Sequence, residues 1–310
     1  MKKKIILSVI ITILSYTASF AQATPITIEK STTRHGPENG SLVIIGGGTV
    51  GTEIWNKIVE LAGGEEKAHI VIVTNASGEG ENFYSAAVDS ATVRIGAKKV
   101  STLHLKTIQE ANDPKNLEAL RQATGIYFTG GRQWRIADVY LNTLAHQEFL
   151  NVLKRGGVIA GSSAGASIQG SFLWRGDTKT ANILIGDHTQ GLGFLRNSVI
   201  DQHILVRNRQ FDLHDFVQLA PQFIGIGLDE STAVVVIKDS LEVIGKSYVA
   251  INNAEKKESK GNDWENLDSK PFFLLQAGQK YDLKEHQVVR PPRRNPEAAN
   301  GNNQTSSNKQ

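Results

Sequence analysis

The sequence predicts an α/β fold: a mostly parallel sheet with helices on both faces and an antiparallel C-terminal extension. Three observations predict it. Short β-branched runs alternate with amphipathic stretches through the first half of the chain, the pattern of parallel strands joined by crossover helices. From Ile200 onward short apolar runs are separated by turn residues, which reads as hairpins. Without an N-terminal leader and a polar tail, roughly 260 residues remain, a length that suits one large domain.

The elements follow in chain order. Lys2-Lys3-Lys4 precede an apolar stretch from Ile5 to about Ile13 and then Ser19-Phe20-Ala21, the layout of a secretory signal peptide over residues 1–21, cleaved before Gln22. Its apolar core falls well short of the roughly 20 residues a membrane-spanning helix needs. Export to the periplasm or the medium is therefore expected, with no membrane association after cleavage. Residues 22–40 form a lead-in and 41–290 a single α/β domain, while 291–310 are rich in Pro, Asn, Gln and Ser and are expected to be disordered.

Within the domain, strands are expected at Leu42–Ile45, His69–Val73, Val100–Leu105, Gly125–Phe128 and Gly157–Ala160, each apolar and bounded by Gly or turn residues. Helices are expected at Thr52–Leu61, Tyr84–Ile95, Pro114–Gln122 and Ile136–Phe149, with Asp113-Pro114 a cap and first-turn proline. Further strands are expected at Ile224–Leu228, Thr232–Lys238, Leu241–Ile244, Tyr248–Ile251 and Phe272–Leu275. Asp239-Ser240 suits a tight hairpin turn, and Asn252–Asp268 reads as an exposed loop.

Composition removes several function classes. The chain has no cysteine, which excludes a thiol nucleophile, a disulfide framework and a zinc-thiolate site. The formal charge of +3 owes much to the leader lysines and the Arg290 to Arg294 cluster, and no basic patch is interleaved with aromatics, so no nucleic-acid partner is expected.

Gly161-Ser162-Ser163-Ala164-Gly165 follows a predicted strand and precedes small residues able to start a helix, the context of a strained nucleophile turn with Ser163 at its tip. The competing reading is a Gly/Ser-rich helix start that cradles phosphate. A serine nucleophile needs a base and a group that orients the base. Most of the histidines fall in predicted strands or helices, a Gly-flanked loop or charged surface, whereas His203 follows Val199-Ile200-Asp201-Gln202 after a short strand and is the candidate base. Glu230, at the end of a predicted strand, is the candidate acid, with Asp177 in the loop Trp174-Arg175-Gly176-Asp177 competing for the role. Candidate oxyanion donors are the backbone N–H groups of Ala164 and of Gly131, in the turn Thr129-Gly130-Gly131. Gly46-Gly47-Gly48-Thr49-Val50-Gly51 matches a dinucleotide fingerprint by letter and supports a rival oxidoreductase reading. The second strand, however, ends in Thr74-Asn75-Ala76 without an acidic residue to hold a ribose, so a turn at the active-site rim is preferred.

Taken together, Gly46-Gly47-Gly48, Thr129-Gly130-Gly131-Arg132-Gln133, Gly161 to Ala166, Asp201-Gln202-His203 and Gly225 to Glu230 resemble the cyanophycinase family, peptidases related to the aspartyl dipeptidases called peptidase E. The resemblance runs from about Ser41 to Leu283. It implies a flavodoxin-like sheet of the class I glutamine amidotransferase type and a triad of Ser163, His203 and Glu230. It also implies hydrolysis of cyanophycin, a polyaspartate with arginine on each β-carboxyl, to β-aspartyl-arginine dipeptides without metal or organic cofactor. Pocket residues carried over by the resemblance are Gln133, Asp201, Gln202, Arg207 and Arg209. Guanidinium forks at the last two suit bidentate binding of carboxylates. Two positions depart: Arg132 stands where the family usually has Asp, and Asp212 where it has a further arginine. Preference for another aspartyl, β-aspartyl or isoaspartyl peptide is the alternative these departures open. A homodimer is among the assemblies the sequence allows.

Overall fold

The computed structural model describes residues 34–77, 97–254 and 272–289. The expected signal peptide, most of the lead-in, the helix expected at Tyr84–Ile95, most of the loop expected at Asn252–Asp268 and the polar tail lie outside the described residues.

A nine-stranded sheet forms the centre, in the order β14-β13-β10-β9-β1-β5-β4-β2-β3. Its parallel part consists of β1 (Ser41–Ile45), β2 (His69–Val73), β3 (Lys99–Leu103), β4 (Gly125–Phe128) and β5 (Val158–Ser162). β1, β2, β4 and β5 are buried along their whole length because both of their faces are covered, whereas the edge strand β3 is buried only at Leu103. Leu42 and Ile44 point to one core cluster with Phe128 and Phe149, whereas Val43 and Ile45 point to another with Ile54, Trp55 and Ile58. The second cluster is closed by α1 (Thr52–Leu61), whose Ile54, Trp55, Ile58 and Val59 fall at helical spacing.

The opposite face carries the helices between β3 and β5. After one turn, α2 (Ile108–Ala111), the expected Pro114–Gln122 helix begins as a 3₁₀ turn over Pro114–Leu117 capped by Asp113 and continues as α3 (Glu118–Gln122). The helix expected at Ile136–Phe149 is two helices, α4 (Gln133–Tyr140) and α5 (Leu144–Lys154). Asn142 takes φ +59° between them, and the Thr143 side chain accepts from the His146 N–H at 3.3 Å, so a residue tolerant of the left-handed region and an N-cap outcompete the apolar periodicity.

The C-terminal half divides between two sheets. The antiparallel extension is β9 (Thr232–Ile237), β10 (Ser240–Gly245), β13 (Lys280–Asp282) and β14 (Gln287–Val289), added to the β1 edge. Ser240 pairs with Ile237, so the β9–β10 turn is Lys238-Asp239, one residue before the expected Asp239-Ser240; Lys238 supplies the positive φ. The second sheet, of five strands, has the order β12-β11-β8-β7-β6. It contains β6 (Gly170–Phe172), β7 (Leu195–Gln202), β8 (Ile224–Leu228), β11 (Tyr248–Asn252) and β12 (Phe273–Gln276). β7 and β8 pair in parallel across a connection that includes α7 (His214–Leu219), so crossovers persist past Ile200. The short helix between β5 and β6 is α6 (Ala164–Ser167).

Candidate active site

Ser163 stands at the carboxyl end of β5 and caps α6 with φ +56° and ψ −110°, a conformation a β-substituted residue adopts only when its surroundings impose it. Its N–H donates to Ile45 O at 2.9 Å, and its carbonyl accepts from Ala166 and Ser167. The neighbouring glycines permit this packing: a Cβ on Gly161 would lie 2.2 Å from Gly165 O, and one on Gly165 would lie 2.1 Å from Phe128 O.

His203 follows β7, also with positive φ (+56°), and its N–H donates to Gly46 O at 2.9 Å. Its Nε2 lies 2.8 Å from Ser163 Oγ and its Nδ1 lies 2.6 Å from Glu230 Oε1. A carboxylate can only accept, so Nδ1 carries the ring hydrogen toward Glu230 and Nε2 accepts from the serine hydroxyl. Glu230 follows β8, and the next residue, Ser231, donates its N–H to Gly47 O at 2.9 Å. Asp229 anchors the segment after His203, its Oδ1 accepting from the N–H groups of Leu205 and Val206 and its Oδ2 from Ser247 Oγ. One stretch, Ile45-Gly46-Gly47, thus holds the backbone at or beside each of the three candidate residues.

Burial lowers the His203 pKa, opposed by the Glu230 hydrogen bond and assisted by the Arg207 and Arg209 charges. The imidazole is therefore neutral, and able to accept a proton, at neutral pH. Glu230 is more exposed than the ring, at 31% against 7% of side-chain surface.

The Gly46–Gly51 turn gains a physical explanation. A Cβ on Gly47 (φ +116°) would sit 2.2 Å from His203 Cε1, and one on Gly48 (φ +66°) would sit 2.7 Å from Glu230 Oε2. These glycines press against the histidine ring and the carboxylate, occupying the surface that a dinucleotide pyrophosphate would need. Sequence reasoning placed this turn at the rim without identifying what it touches.

Of the candidate oxyanion donors, Ala164 N–H follows Ser163 directly and makes no backbone hydrogen bond among the described residues. Gly131 (φ +139°) is pressed against Ala76, where a Cβ would lie 2.0 Å from the carbonyl oxygen. The glycine that touches the nucleophile is Gly130, whose added Cβ would be 3.3 Å from Ser163 Cβ.

The remaining candidates separate into buried supports and accessible groups. Gln133 is 2% exposed, and its amide donates to Trp174 O and Arg175 O at 2.8 and 3.0 Å, which ties it to the fold rather than to a ligand. Asp201 is fully buried and accepts from Arg175 Nε at 3.0 Å. Gln202 Oε1 is 3.5 Å from Arg209 Nη1, and Arg209 also lies 3.9 Å from Asp201. Arg207 is exposed. Asp177 does not meet His203: its Oδ1 accepts from the N–H groups of Lys179 and Thr180, closing its own turn, while its carbonyl accepts from Arg132. Asp212 pairs with Arg175, so that buried guanidinium (φ +55°, 3% exposed) bridges two carboxylates. Arg175 was missed because an arginine in a Gly-containing loop carries no sequence signal of burial.

Among the described residues, no group of three His, Cys, Asp or Glu side chains could hold a metal ion, and no helix is long and apolar enough to cross a membrane.

The profile of peptidase family S51 matches residues 42–244. The chain is 30% identical over 266 residues to a cyanophycinase of Geminocystis herdmanii, covering 80% of this chain and 96% of that one. It is 28% identical over 280 residues to a cyanophycinase of Synechococcus elongatus, covering 84% of each. Among solved structures, a peptidase from an acI-B1 actinobacterium superposes with a TM-score of 0.60 at 25% identity, over 79% of this chain and 97% of that one.

Proposed function

The chain belongs to peptidase family S51 and is a serine-type peptidase, and from that premise we propose that Ser163, His203 and Glu230 form its catalytic triad. The observation that carries this assignment is the continuous relay of 2.8 Å from Ser163 Oγ to His203 Nε2 and 2.6 Å from His203 Nδ1 to Glu230 Oε1. Ser163 Oγ attacks the substrate carbonyl carbon as its proton passes to His203 Nε2. Glu230 stabilises the imidazolium. His203 then gives the proton to the leaving amine nitrogen, and a water activated by the same ring hydrolyses the acyl-enzyme. Ala164 N–H is one donor to the tetrahedral oxyanion, and the Gly130–Gly131 segment supplies the second through Gly131 N–H. Each such donor is worth roughly 2.7 to 4 kcal/mol.

The substrate is cyanophycin, cleaved at the α-peptide carbonyl between aspartates to release β-aspartyl-arginine. The named relatives support the polymer, and Arg207 and Arg209 beside His203 suit the free carboxylates of its arginyl groups. Other β-aspartyl, isoaspartyl or aspartyl peptides are the second reading, favoured by Asp212, which brings a carboxylate to the Arg175 cluster. Hydrolysis of cyanophycin by purified protein, with Ser163→Ala slower by at least about a thousandfold, is the expected result. Undiminished turnover in that variant removes the triad, and preference for isoaspartyl dipeptides over the polymer selects the second reading. The enzyme acts outside the cytoplasm, on the strength of the Lys2 to Ala21 leader, as one mature unit from Gln22. N-terminal sequencing of the exported protein is expected to begin at Gln22; an intact Met1 on cell-associated protein refutes export.

A further inference from the structure

Two cations beyond the Gly130–Gly131 loop have no carboxylate partner among the described residues. Lys106 follows β3 and is exposed; Arg135 lies in the first turn of α4, its guanidinium 5.3 Å from the Trp134 ring centroid and donating only to Ala76 O, at 3.3 Å. Both line a cleft of about 460 Å³ whose other walls include Asn75, His104, Trp134 and Asp138. That volume falls within the range of small-ligand sites. The Asp138 carboxylate makes no ion pair with either cation among the described residues; its Oδ1 is bonded to His188 Nε2 at 2.7 Å, while His188 Nδ1 bonds Asp187 at 2.8 Å. Burial lowers the His188 pKa, but these two carboxylates outweigh it and raise the ring above its ordinary value.

The cleft opens on the edge of the sheet that carries the nucleophile. β5, β4, β2 and β3 are parallel, so Ser163, Arg135, Asn75 and Lys106 all follow carboxyl ends on one side. A chain of backbone contacts connects the two. Gly130 packs on Ser163, Gly131 packs on the carbonyl of Ala76, and that same carbonyl accepts from Arg132 N at 2.8 Å and from Arg135 Nη1.

We infer that the cleft between α4 and the ends of β2 and β3 is a remote carboxylate subsite, in which Lys106 and Arg135 bind anionic groups of a peptide whose scissile bond lies at Ser163. The inference rests on the peptidase reading and adds a length requirement to it: affinity rises when the substrate is long enough to cross the Gly130–Gly131 loop. Carboxylates held by exposed cations make the interaction salt-sensitive.

The test is calorimetric titration of hexa-aspartate into full-length Ser163→Ala at low and high salt. Lys106→Ala with Arg135→Ala in that background is expected to weaken binding about tenfold and to flatten the salt dependence, with Lys106→Arg and Arg135→Lys restoring it. Hexa-asparagine is expected not to bind. Lys106→Glu alone, at an exposed position, is expected to weaken binding severalfold and keeps the question open to test should Arg135→Ala unfold. No binding of hexa-aspartate, equal binding by the double variant, or equal binding of hexa-asparagine overturns the subsite. Because the titration uses a protein without the nucleophile, its failure leaves the peptidase assignment standing. Failure of the wild-type protein to hydrolyse aspartyl peptides leaves the binding result readable.

Discussion

Gly47 offers the sharpest test of how this site is built. In Gly47→Ala the new Cβ would start 2.2 Å from Cε1, 2.6 Å from Nε2 and 2.7 Å from Nδ1 of His203, with ordinary contact beginning near 3.4 Å. The ring must therefore retreat by at least about 1 Å, because both neighbours have little freedom: His203 N–H is tied to Gly46 O, and Ser231 N–H to Gly47 O. A displacement of that size costs on the order of a hundredfold in rate when it misaligns a reacting pair. That corresponds to roughly 2.7 kcal/mol of transition-state stabilisation. The alanine also inherits φ +116°, which adds about 1 to 3 kcal/mol of backbone strain to the folded state. Steady-state kinetics on an aspartyl peptide, beside a thermal unfolding curve, separates the two effects. The expected result is a fall in kcat of at least about a hundredfold in a protein that still unfolds cooperatively. Gly48→Ala provides the comparison: it meets the Glu230 side chain, which is flexible and part exposed, and is expected to lose roughly tenfold. Gly47→Ala with activity within threefold of wild type would refute the argument that this turn exists to admit the histidine ring.

Four further outcomes follow from the electrostatics. The acidic limb of kcat/KM is expected below pH 6.5, because burial first, and then Arg207 and Arg209, lower the His203 pKa; Arg207→Gln removes a lowering charge and should move the limb upward, and a downward move contradicts the assignment. The same shift ties stability to pH: between the folded value and 6.5 the unfolded chain binds more protons, so this contribution rises with pH and is lost as pH falls, measurable as a declining unfolding midpoint in that window. Asp201→Asn leaves Arg175 buried with Asp212 as its remaining acid and is expected to destabilise by about 3 kcal/mol, or roughly 10 °C in Tm. A loss under about 1 kcal/mol would mean that Asp212 alone satisfies the guanidinium. Glu230→Gln keeps the shape but not the charge facing the imidazolium and should lower kcat on the order of a thousandfold, with KM little changed.

What could be read without coordinates was local. Strands β1, β2, β4 and β5 end within two residues of their expected limits, because a strand buried on both faces is a short apolar run bounded by turn residues. The turn around Ser163 was legible for a related reason: small residues on both sides of a serine after such a strand have few other uses. Helix boundaries were less secure. Asn142 and Thr143 divide one apolar periodicity into two helices, and the rule they obey operates over a single turn that a longer window averages away.

Proximity between distant segments was not legible. Glu230 was preferred to Asp177 because it closes a predicted strand, but that placement did not say which residue it meets; the parallel pairing of β7 with β8 brings residue 230 alongside residue 203, while Asp177 turns back on its own loop. The same holds for Gln133 and Asp201, which the family resemblance assigned to a pocket and which bond Trp174 and Arg175, and for Arg175, hidden in the interior at a position that looks like surface. The sequence by itself determined the fold class, the family and the strained serine, since each depends on side-chain period, glycine placement and residue order along the chain. Tertiary structure decided which groups meet, because a hydrogen bond of under 3 Å between residues 40 apart depends on strand order and register, which short-range pattern does not encode.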